Sequence, residues 1–212
     1  MEIGVLFDLD GVLIDSESVY TKFWDDMNRM FPTGIDNFAL KIKGSTLPSI
    51  LNTYFPDPST QAQIHKLIKD FEATMEYKPF PEAIRFVEDI KDAGIRHAIV
   101  TSSSQKKMDT VYLQNPGFKE LFDAIVTGDM VTHSKPNPEP YLIGAKSINV
   151  DIRNCFVFED SLSGIKAGMD SGATTIAMAT TLPMAQLKGK AHKIINDFTG
   201  FNISDMLSAK HF

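Results

Sequence analysis

Short runs of apolar residues recur along this chain, and amphipathic helical segments separate most of them. The runs cover residues 3–7, 97–100, 124–126, 155–158 and 173–178. Helical spacing is clear in Ile84, Val87 and Ile90, which precede a helix-ending Gly94. Strands that are apolar throughout and alternate with helices are typical of a parallel sheet covered on both faces. The pattern therefore predicts an α/β fold built on a parallel sheet.

One long stretch, from about residue 16 to residue 77, breaks this alternation because it contains no strand-like run. Its apolar residues recur at helical spacing, as in Val19, Phe23 and Met27. Roughly four helices fit into the stretch, whereas a strand-to-strand crossover needs only one. The spacing also predicts a capping box at residues 60–63. We therefore expect an inserted helical domain over residues 16–79 and a core formed by residues 1–15 and 80–212.

Composition limits the possible partners. Twenty-seven acidic residues against 21 basic ones give a net charge of −6, which argues against nucleic acid as a general partner. The single cysteine, Cys155, lies in an apolar run and is predicted to be a buried structural thiol. No run approaches the ~20 apolar residues of a membrane span, and no secretory-signal pattern is present. We expect a cytoplasmic protein without a membrane partner, and the sequence leaves its oligomeric state open.

Polar side chains follow the apolar runs at the points where the predicted strands end. Because the carboxyl ends of parallel strands meet at one edge of a sheet, these side chains are expected to lie close together. Carboxylates suit a hard cation, and a hydroxyl with an ammonium suits an anion, which is the combination that phosphoryl transfer requires. A strand running into an Asp-Gly turn is the plain alternative for the first pair. The residues concerned are Asp8, Asp10, Thr101, Lys135, Glu159 and Asp160.

In this order the residues resemble the four motifs of the haloacid dehalogenase superfamily, which includes phosphotransferases with an aspartate nucleophile. Residues 8–12 look like the first motif, Thr101 the second, Lys135 the third and residues 159–160 the fourth. The helical insert lies where the β-phosphoglucomutase-like subfamily carries its cap. The resemblance implies a Rossmann-like parallel sheet core with an inserted α-helical, four-helix-type cap. It also implies an enzyme that hydrolyses phosphoric monoesters.

The resemblance gives each core residue an expected role. Asp8 would attack phosphorus and form an aspartyl phosphate. Asp10 would act as general acid and then as general base, and its main-chain carbonyl would bind the metal. Thr101 and the main-chain N–H of Ser102 would bind phosphoryl oxygens. Lys135 would hold Asp8 and the phosphate together electrostatically.

The cofactor that the resemblance implies is Mg²⁺. Asp8 and Asp160 would bind it directly, together with the carbonyl of Asp10. Glu159 would either join them as a ligand or support the ligands from behind. Ser161 would orient this acidic pair, or would simply cap the following helix.

The insert is expected to determine specificity. Ser16, Tyr20 and Lys43 are the candidate substrate-binding residues, although a solvated lysine in a polar loop is the plain alternative for Lys43. Phe23 and Trp24 are predicted to belong to the apolar core of the insert. The partner is expected to be a small phosphorylated metabolite.

The leading functional prediction is a Mg²⁺-dependent phosphatase, with a sugar phosphate as the expected substrate. A phosphosugar mutase like β-phosphoglucomutase is the alternative, and a non-catalytic binding protein on the same scaffold is a third. In the alignment implied by the resemblance, the mutase's cap histidine falls at Tyr20 and its phosphate-binding arginine at Leu47. Neither replacement is chemically equivalent. A dehalogenase is disfavoured because Asp10 is present.

Overall fold

The computed structural model describes residues 2–42 and 47–211. The chain divides into two compact units, which we call the core unit (Met1–Asp15 with Tyr77–Phe212) and the cap unit (Ser16–Glu76). The core unit resumes at Tyr77 rather than at the expected residue 80. A backbone hydrogen bond within the core unit accounts for the difference, because the Asp15 N–H donates to the Lys78 carbonyl over 2.9 Å.

Four α-helices form the described part of the cap unit. They are α1 (Glu17–Met30), α2 (Phe38–Lys41), α3 (Leu47–Tyr54) and α4 (Pro58–Thr74). Phe23 and Trp24 are buried, as predicted for the apolar core of the insert. The ring of Trp24 lies 6.2 Å from that of Phe38, and the ring of Phe23 lies 4.6 Å from that of Phe71. The cap unit therefore has an aromatic core of its own.

Helix α4 begins earlier than predicted, and the capping box expected at residues 60–63 is wrong. Asp57 is the N-cap, and its Oδ2 accepts a hydrogen bond from the Thr60 N–H over 2.8 Å. Pro58 takes the first helical position, where the missing N–H would have had no partner in any case. The hydroxyls of Ser59 and Thr60 also donate to Asp57. Accepting from Ser59 and Thr60 lowers the pKa of Asp57 to about 2.

Six parallel strands form the sheet of the core unit, in the order β3-β2-β1-β4-β5-β6. They are β1 (Gly4–Phe7), β2 (Arg96–Val100), β3 (Ala124–Val126), β4 (Cys155–Glu159), β5 (Thr174–Met178) and β6 (Lys193–Ile195). The first five agree with the predicted runs to within one residue at each end. Strand β6 was not predicted, because three half-buried residues beginning with Lys193 do not form a distinct apolar run. Strands β2 and β4 flank β1 on its two sides, so the carboxyl ends of these three strands are neighbours.

Helices cover both faces of the sheet, which confirms the predicted α/β architecture. On one face, Leu6 and Val157 pack with Tyr141 of the helix that follows β3. On the other face, the rings of Phe7 and Phe158 stack at 5.3 Å beneath Phe86. The core helices are α5 (Pro81–Asp92), α6 (Gln105–Gln114), α7 (Glu139–Ser147), α8 (Leu162–Ser171), α9 (Met184–Leu187) and α10 (Ile203–Ser208).

Cys155 is fully buried at the start of β4, as expected of a structural thiol. Burial is the main cause that raises the pKa of Cys155, to about 12. Of the helices in residues 2–42 and 47–211, none combines the length and the apolar character that crossing a membrane requires.

Candidate active site

Lys135 connects two of the predicted acidic residues. Its Nζ lies 2.7 Å from Asp8 Oδ1, 2.7 Å from Glu159 Oε1 and 2.9 Å from the Val100 carbonyl. An ammonium group has three protons to donate, so these contacts use all of them. Asp8 lies just beyond β1, where its N–H donates to the Phe158 carbonyl over 3.0 Å. Backbone pairing and a buried ammonium therefore hold the Asp8 carboxylate in place.

Glu159 accepts hydrogen bonds on both carboxylate oxygens. Besides Lys135, the Tyr141 hydroxyl donates to Oε1 over 2.9 Å. The N–H groups of Asp160 and Ser161 donate to Oε2 over 3.0 and 3.1 Å, and the Ser161 hydroxyl does so over 3.0 Å. A carboxylate has about four lone-pair sites, so five donors leave little capacity for a metal. This geometry favours the reading in which Glu159 supports the other ligands.

Tyr141 and Ser161 contribute to this network in different ways. Burial, together with the charges of Glu159 and Asp8, raises the pKa of Tyr141, so the phenol remains protonated and donates to Glu159. The Ser161 oxygen also accepts from the Gly164 N–H over 3.0 Å and caps α8. Both readings offered for Ser161 therefore hold at once, since the hydroxyl donates in one direction and accepts in the other. Tyr141 carried no signal in the sequence, because it lies within a helix rather than at the end of a strand.

Asp160 accepts a hydrogen bond from the loop after β5 and lies close to the backbone of Gly11. Its Oδ2 accepts a short hydrogen bond from the Thr181 hydroxyl. Gly11 adopts a φ of 73°, and a Cβ at this position would overlap Oδ2 of Asp160. The Thr180 hydroxyl donates to the Gly11 carbonyl over 2.6 Å, which ties the two loops together. Thr180 and Thr181 could not be predicted from the sequence, because nothing marks them apart from other loop threonines.

The acidic residues form a cluster that fits a divalent cation. One carboxylate oxygen from each of Asp8, Glu159 and Asp160 lies within 4.8 Å of the other two, and the oxygens of Glu159 are already hydrogen-bonded as described above. Three buried carboxylates face the single charge of Lys135, and an uncompensated buried charge is costly. Hard oxygen donors are the ligands that Mg²⁺ prefers. The donor set and its excess negative charge therefore suit this ion.

The excess of negative charge also affects the pKa values of Asp8 and Lys135. Burial raises the pKa of Asp8 to about 7, with Lys135 opposing the shift and Glu159 and Asp10 adding to it. Burial acts against the charged form of Lys135, but Asp8 and Glu159 outweigh it and raise the pKa of this lysine. Lys135 therefore stays protonated, but its single positive charge does not neutralise the carboxylates around it.

Asp10 lies apart from this cluster and has a cationic partner of its own. Lys107 Nζ lies 2.7 Å from both carboxylate oxygens, and the Ser103 hydroxyl donates to Oδ2 over 2.9 Å. The side chain of Asp10 is 28% exposed, so it lies on the open side of the site. Lys107 is a residue that sequence reasoning missed, although a lysine in the first turn after a serine-rich strand end was a signal that could have been followed.

Thr101 and Ser102 follow β2, next to the carboxyl end of β1. Thr101 is buried, and its Oγ1 accepts from the Ser103 N–H over 3.0 Å, a bond that uses a lone pair rather than the hydroxyl proton. Ser102 is exposed. This bond leaves the hydroxyl proton of Thr101 unused, and the predicted role of Thr101 in binding a phosphoryl oxygen stays a prediction.

The cap residues predicted to bind substrate have different environments. Ser16 is fully buried, and within the described residues its hydroxyl has no hydrogen-bond partner. The Tyr20 hydroxyl donates to Glu72 over 2.8 Å. Tyr20, Glu72 and Leu47 lie in the wall of a cavity of about 270 Å³ inside the cap unit. Lys43 lies outside the described residues, so its role stays a prediction.

Comparison with known proteins identifies the family. The sequence model of the family of haloacid dehalogenase-like hydrolases matches residues 5–178 of this chain. The chain is 30% identical over 208 residues to a bifunctional riboflavin kinase/FMN phosphatase of Arabidopsis thaliana, a match that covers 91% of this chain and only 52% of that protein. It is 30% identical over 184 residues to hexitol phosphatase A of Escherichia coli, a match that covers 82% of each. A candidate beta-phosphoglucomutase from Bacteroides vulgatus has a TM-score of 0.76 at 26% identity, covering 100% of this chain and 91% of that one.

The matched segment contains all four candidate motifs and the helical insert, so the chain belongs to the haloacid dehalogenase-like hydrolases. Within that family it is a member of the β-phosphoglucomutase-like subfamily with a helical cap. The family resemblance seen in the sequence is thereby confirmed.

Proposed function

We propose that this protein is a Mg²⁺-dependent phosphatase that hydrolyses a small phosphorylated metabolite, a sugar phosphate, through an aspartyl phosphate on Asp8. The observation that carries the proposal is the buried array in which Lys135 bridges Asp8 and Glu159 over 2.7 Å each. A carboxylate held by an ammonium at the end of a strand can approach a phosphoryl group without the repulsion that two bare anions would feel.

In the first half of the proposed reaction, an oxygen of Asp8 forms a bond to phosphorus while the bond to the leaving oxygen breaks. Asp10 gives a proton to the leaving oxygen, which departs as an alcohol. In the second half, water attacks phosphorus and Asp10 takes its proton. The bond from phosphorus to Asp8 breaks, and inorganic phosphate is released with both aspartates restored.

Other residues stabilise the charge that the reaction moves. Lys135 offsets the negative charge on Asp8 and the transferring phosphoryl group, and the Thr101 hydroxyl donates to a phosphoryl oxygen. Mg²⁺, when bound, would supply the positive charge that lets the substrate phosphate lie beside two carboxylates. Asp8 and Asp160 would hold the ion, and Glu159 would hold Lys135 and the backbone around Asp160.

The likeness to hexitol phosphatase A supports a sugar or sugar-alcohol phosphate as substrate. The test is a panel of fructose 1-phosphate, sorbitol 6-phosphate, glucose 6-phosphate, phosphoglycolate and FMN, with release of inorganic phosphate expressed as kcat/KM. We expect release that requires Mg²⁺, stops in EDTA and is fastest with a sugar or sugar-alcohol phosphate. Absence of release from every member in Mg²⁺, or equal release in EDTA, would overturn the proposal.

A phosphosugar mutase is the second candidate, and the likeness to a candidate beta-phosphoglucomutase is the observation that favours it. Against it stands Leu47, because a leucine cannot hold the second phosphate of a bisphosphate intermediate. We expect β-glucose 1-phosphate with a bisphosphate primer to give phosphate rather than glucose 6-phosphate. A coupled glucose 6-phosphate dehydrogenase assay distinguishes the two, and mutase turnover faster than phosphate release would reverse their order.

A further inference from the structure

We propose that Lys107 positions Asp10 for proton transfer to the leaving oxygen, an inference that rests on the function proposed above. Lys107 belongs to none of the four motifs and lies in α6, beyond the serine-rich end of β2. Its side chain nevertheless meets the residue that the proposed reaction uses as acid and base. Lys107 is thus a positioning residue, since it acts on the substrate only through Asp10.

The contact between the two side chains is bidentate. Lys107 Nζ lies 2.7 Å from Oδ1 and 2.7 Å from Oδ2 of Asp10. The Ser103 hydroxyl adds a third hydrogen bond, to Oδ2, over 2.9 Å. A single bond would let the carboxylate rotate about its partner, whereas three bonds from two residues fix its position and its plane. These contacts describe the ionised carboxylate, in which bonds between charged groups are the stronger ones. When Asp10 carries the proton that it gives to the leaving oxygen, its unprotonated oxygen still accepts from Lys107.

Lys107 is itself held in place from two sides. Its N–H donates to the hydroxyl oxygen of Ser104, the N-cap of α6, over 3.3 Å. Its ammonium lies 5.4 Å from the centroid of the Tyr77 ring, within the range of a cation–π interaction. Only 16% of its side chain is exposed. The pair therefore differs from a freely solvated surface ion pair, which contributes little.

The physical consequence concerns the geometry of proton transfer. A general acid is effective only when its carboxyl lies within hydrogen-bond reach of the oxygen that it protonates. Asp10 lies on a loop and is partly exposed, so the position of its carboxylate depends on its hydrogen bonds, of which Lys107 supplies two and Ser103 one. Lys107 ties Asp10 to the first turn of α6, a helix whose Met108 and Val111 are buried. Loss of Lys107 should misplace Asp10 and leave Asp8 and Lys135 undisturbed.

The test compares Lys107→Met with wild type on two phosphate esters that differ in their need for an acid. p-Nitrophenolate leaves as a stable anion, whereas the alkoxide of a sugar phosphate needs a proton. The value of kcat/KM reports only steps up to formation of the aspartyl phosphate, so it isolates this half of the reaction. We expect Lys107→Met to lower kcat/KM for fructose 1-phosphate by about 30-fold or more, and for p-nitrophenyl phosphate by less than about threefold. The matched control is Lys106→Met, an exposed lysine in the same turn, which should change neither value.

A merely structural role predicts a different result, because a damaged fold or a lost metal would lower both values of kcat/KM by the same factor. Equal losses on the two esters, or no loss on either, would overturn the proposal. Lys107→Arg should recover most of the loss on fructose 1-phosphate, since a guanidinium can also bind a carboxylate through two hydrogen bonds. Inactivity of the wild type on both esters would instead refute the proposed function.

A crystal structure of the Lys107→Met variant tests the positioning without any substrate. The carboxylate of Asp10 should leave its place beside Ser103, or be split between rotamers. An unchanged, fully ordered Asp10 would overturn the inference whatever the kinetics show. The structure should also show Asp8 and Lys135 still in contact.

Discussion

Different kinds of interaction stabilise the carboxyl edge of the sheet and the interior of the cap unit. At the edge, each charged side chain is fixed by several directed bonds, as Lys135 is by two carboxylates and a carbonyl. In the cap unit, cohesion comes from aromatic packing, as in the contacts of Phe38 with Trp24, Tyr54 and Phe55. Loss of one polar atom should therefore matter greatly at the edge, and much less in the cap unit.

The largest expected effect is that of Asp8→Asn. An amide has nearly the shape of the carboxylate but is a poor nucleophile, so turnover should fall by more than about 10³-fold. The measurement is kcat for the best ester of the panel, with the absence of deamidated protein confirmed by mass spectrometry. The circular dichroism spectrum should match that of wild type. A variant that keeps more than a tenth of the wild-type rate would remove Asp8 from the role of nucleophile.

The polar network of this site was only partly predictable. Asp8 and Asp160 could be placed because each follows a strand, and strand ends are visible as the last residues of apolar runs. Lys107 and Thr181 could not be placed in this way, because they come from separate segments that meet Asp10 and Asp160 only in the folded chain. Local pattern thus predicts which residues lie at the edge, whereas their partners depend on tertiary packing.

The cap unit shows the same division between pattern and packing. Helical spacing identified α1 and predicted that Phe23 and Trp24 are buried. The predicted start of α4 was too late in the sequence. Thr60 fits a capping box, but Asp57 is the N-cap and Pro58 is the first helical residue. The polar contact of Tyr20 with Glu72 joins residues 52 positions apart, which no local pattern contains.

A second large effect tests the stability of the edge. Lys135→Met would leave Asp8 and Glu159 buried without their ammonium, and breaking a buried pair in this way typically costs about 3–5 kcal/mol. The free energy of unfolding from urea titration, in the presence of EDTA, measures the loss. The control is Lys166→Met, which removes a pair whose side chains are 62% and 43% exposed and should change stability by less than about 1 kcal/mol. An equal loss in the free energy of unfolding for the two variants would contradict the expected difference between a buried network and a surface pair.

Tyr20→Phe tests the expectation that loss of one polar atom matters little in the cap unit. The change removes a hydroxyl that donates to Glu72 over 2.8 Å and keeps the ring that packs on Phe71. A single hydrogen bond between uncharged phenol and carboxylate contributes about 1–3 kcal/mol at most, and less where water can replace it. We expect KM for the best sugar phosphate to change by less than about tenfold and kcat to stay nearly constant. A large fall in kcat would mean that the cap unit takes part in the chemistry, and the comparison would then fail.

The smallest effect is expected at the start of α4, where Asp57 caps the helix. Because it accepts hydrogen bonds from Ser59 and Thr60, the pKa of Asp57 is lowered from 3.8 to about 2 in the folded chain. A carboxyl whose pKa is lower in the folded than in the unfolded state stabilises the fold above the unfolded value, and that contribution is lost as the pH falls towards the folded value. Asp57→Ala should therefore unfold at a lower urea concentration than wild type at neutral pH. The difference between their midpoints should stay constant down to about pH 4 and shrink as the pH falls from there towards 2. Core carboxyls titrate equally in both proteins, so the difference isolates Asp57. A gap that widens with acidification would show that the cap does not depend on the ionised carboxylate.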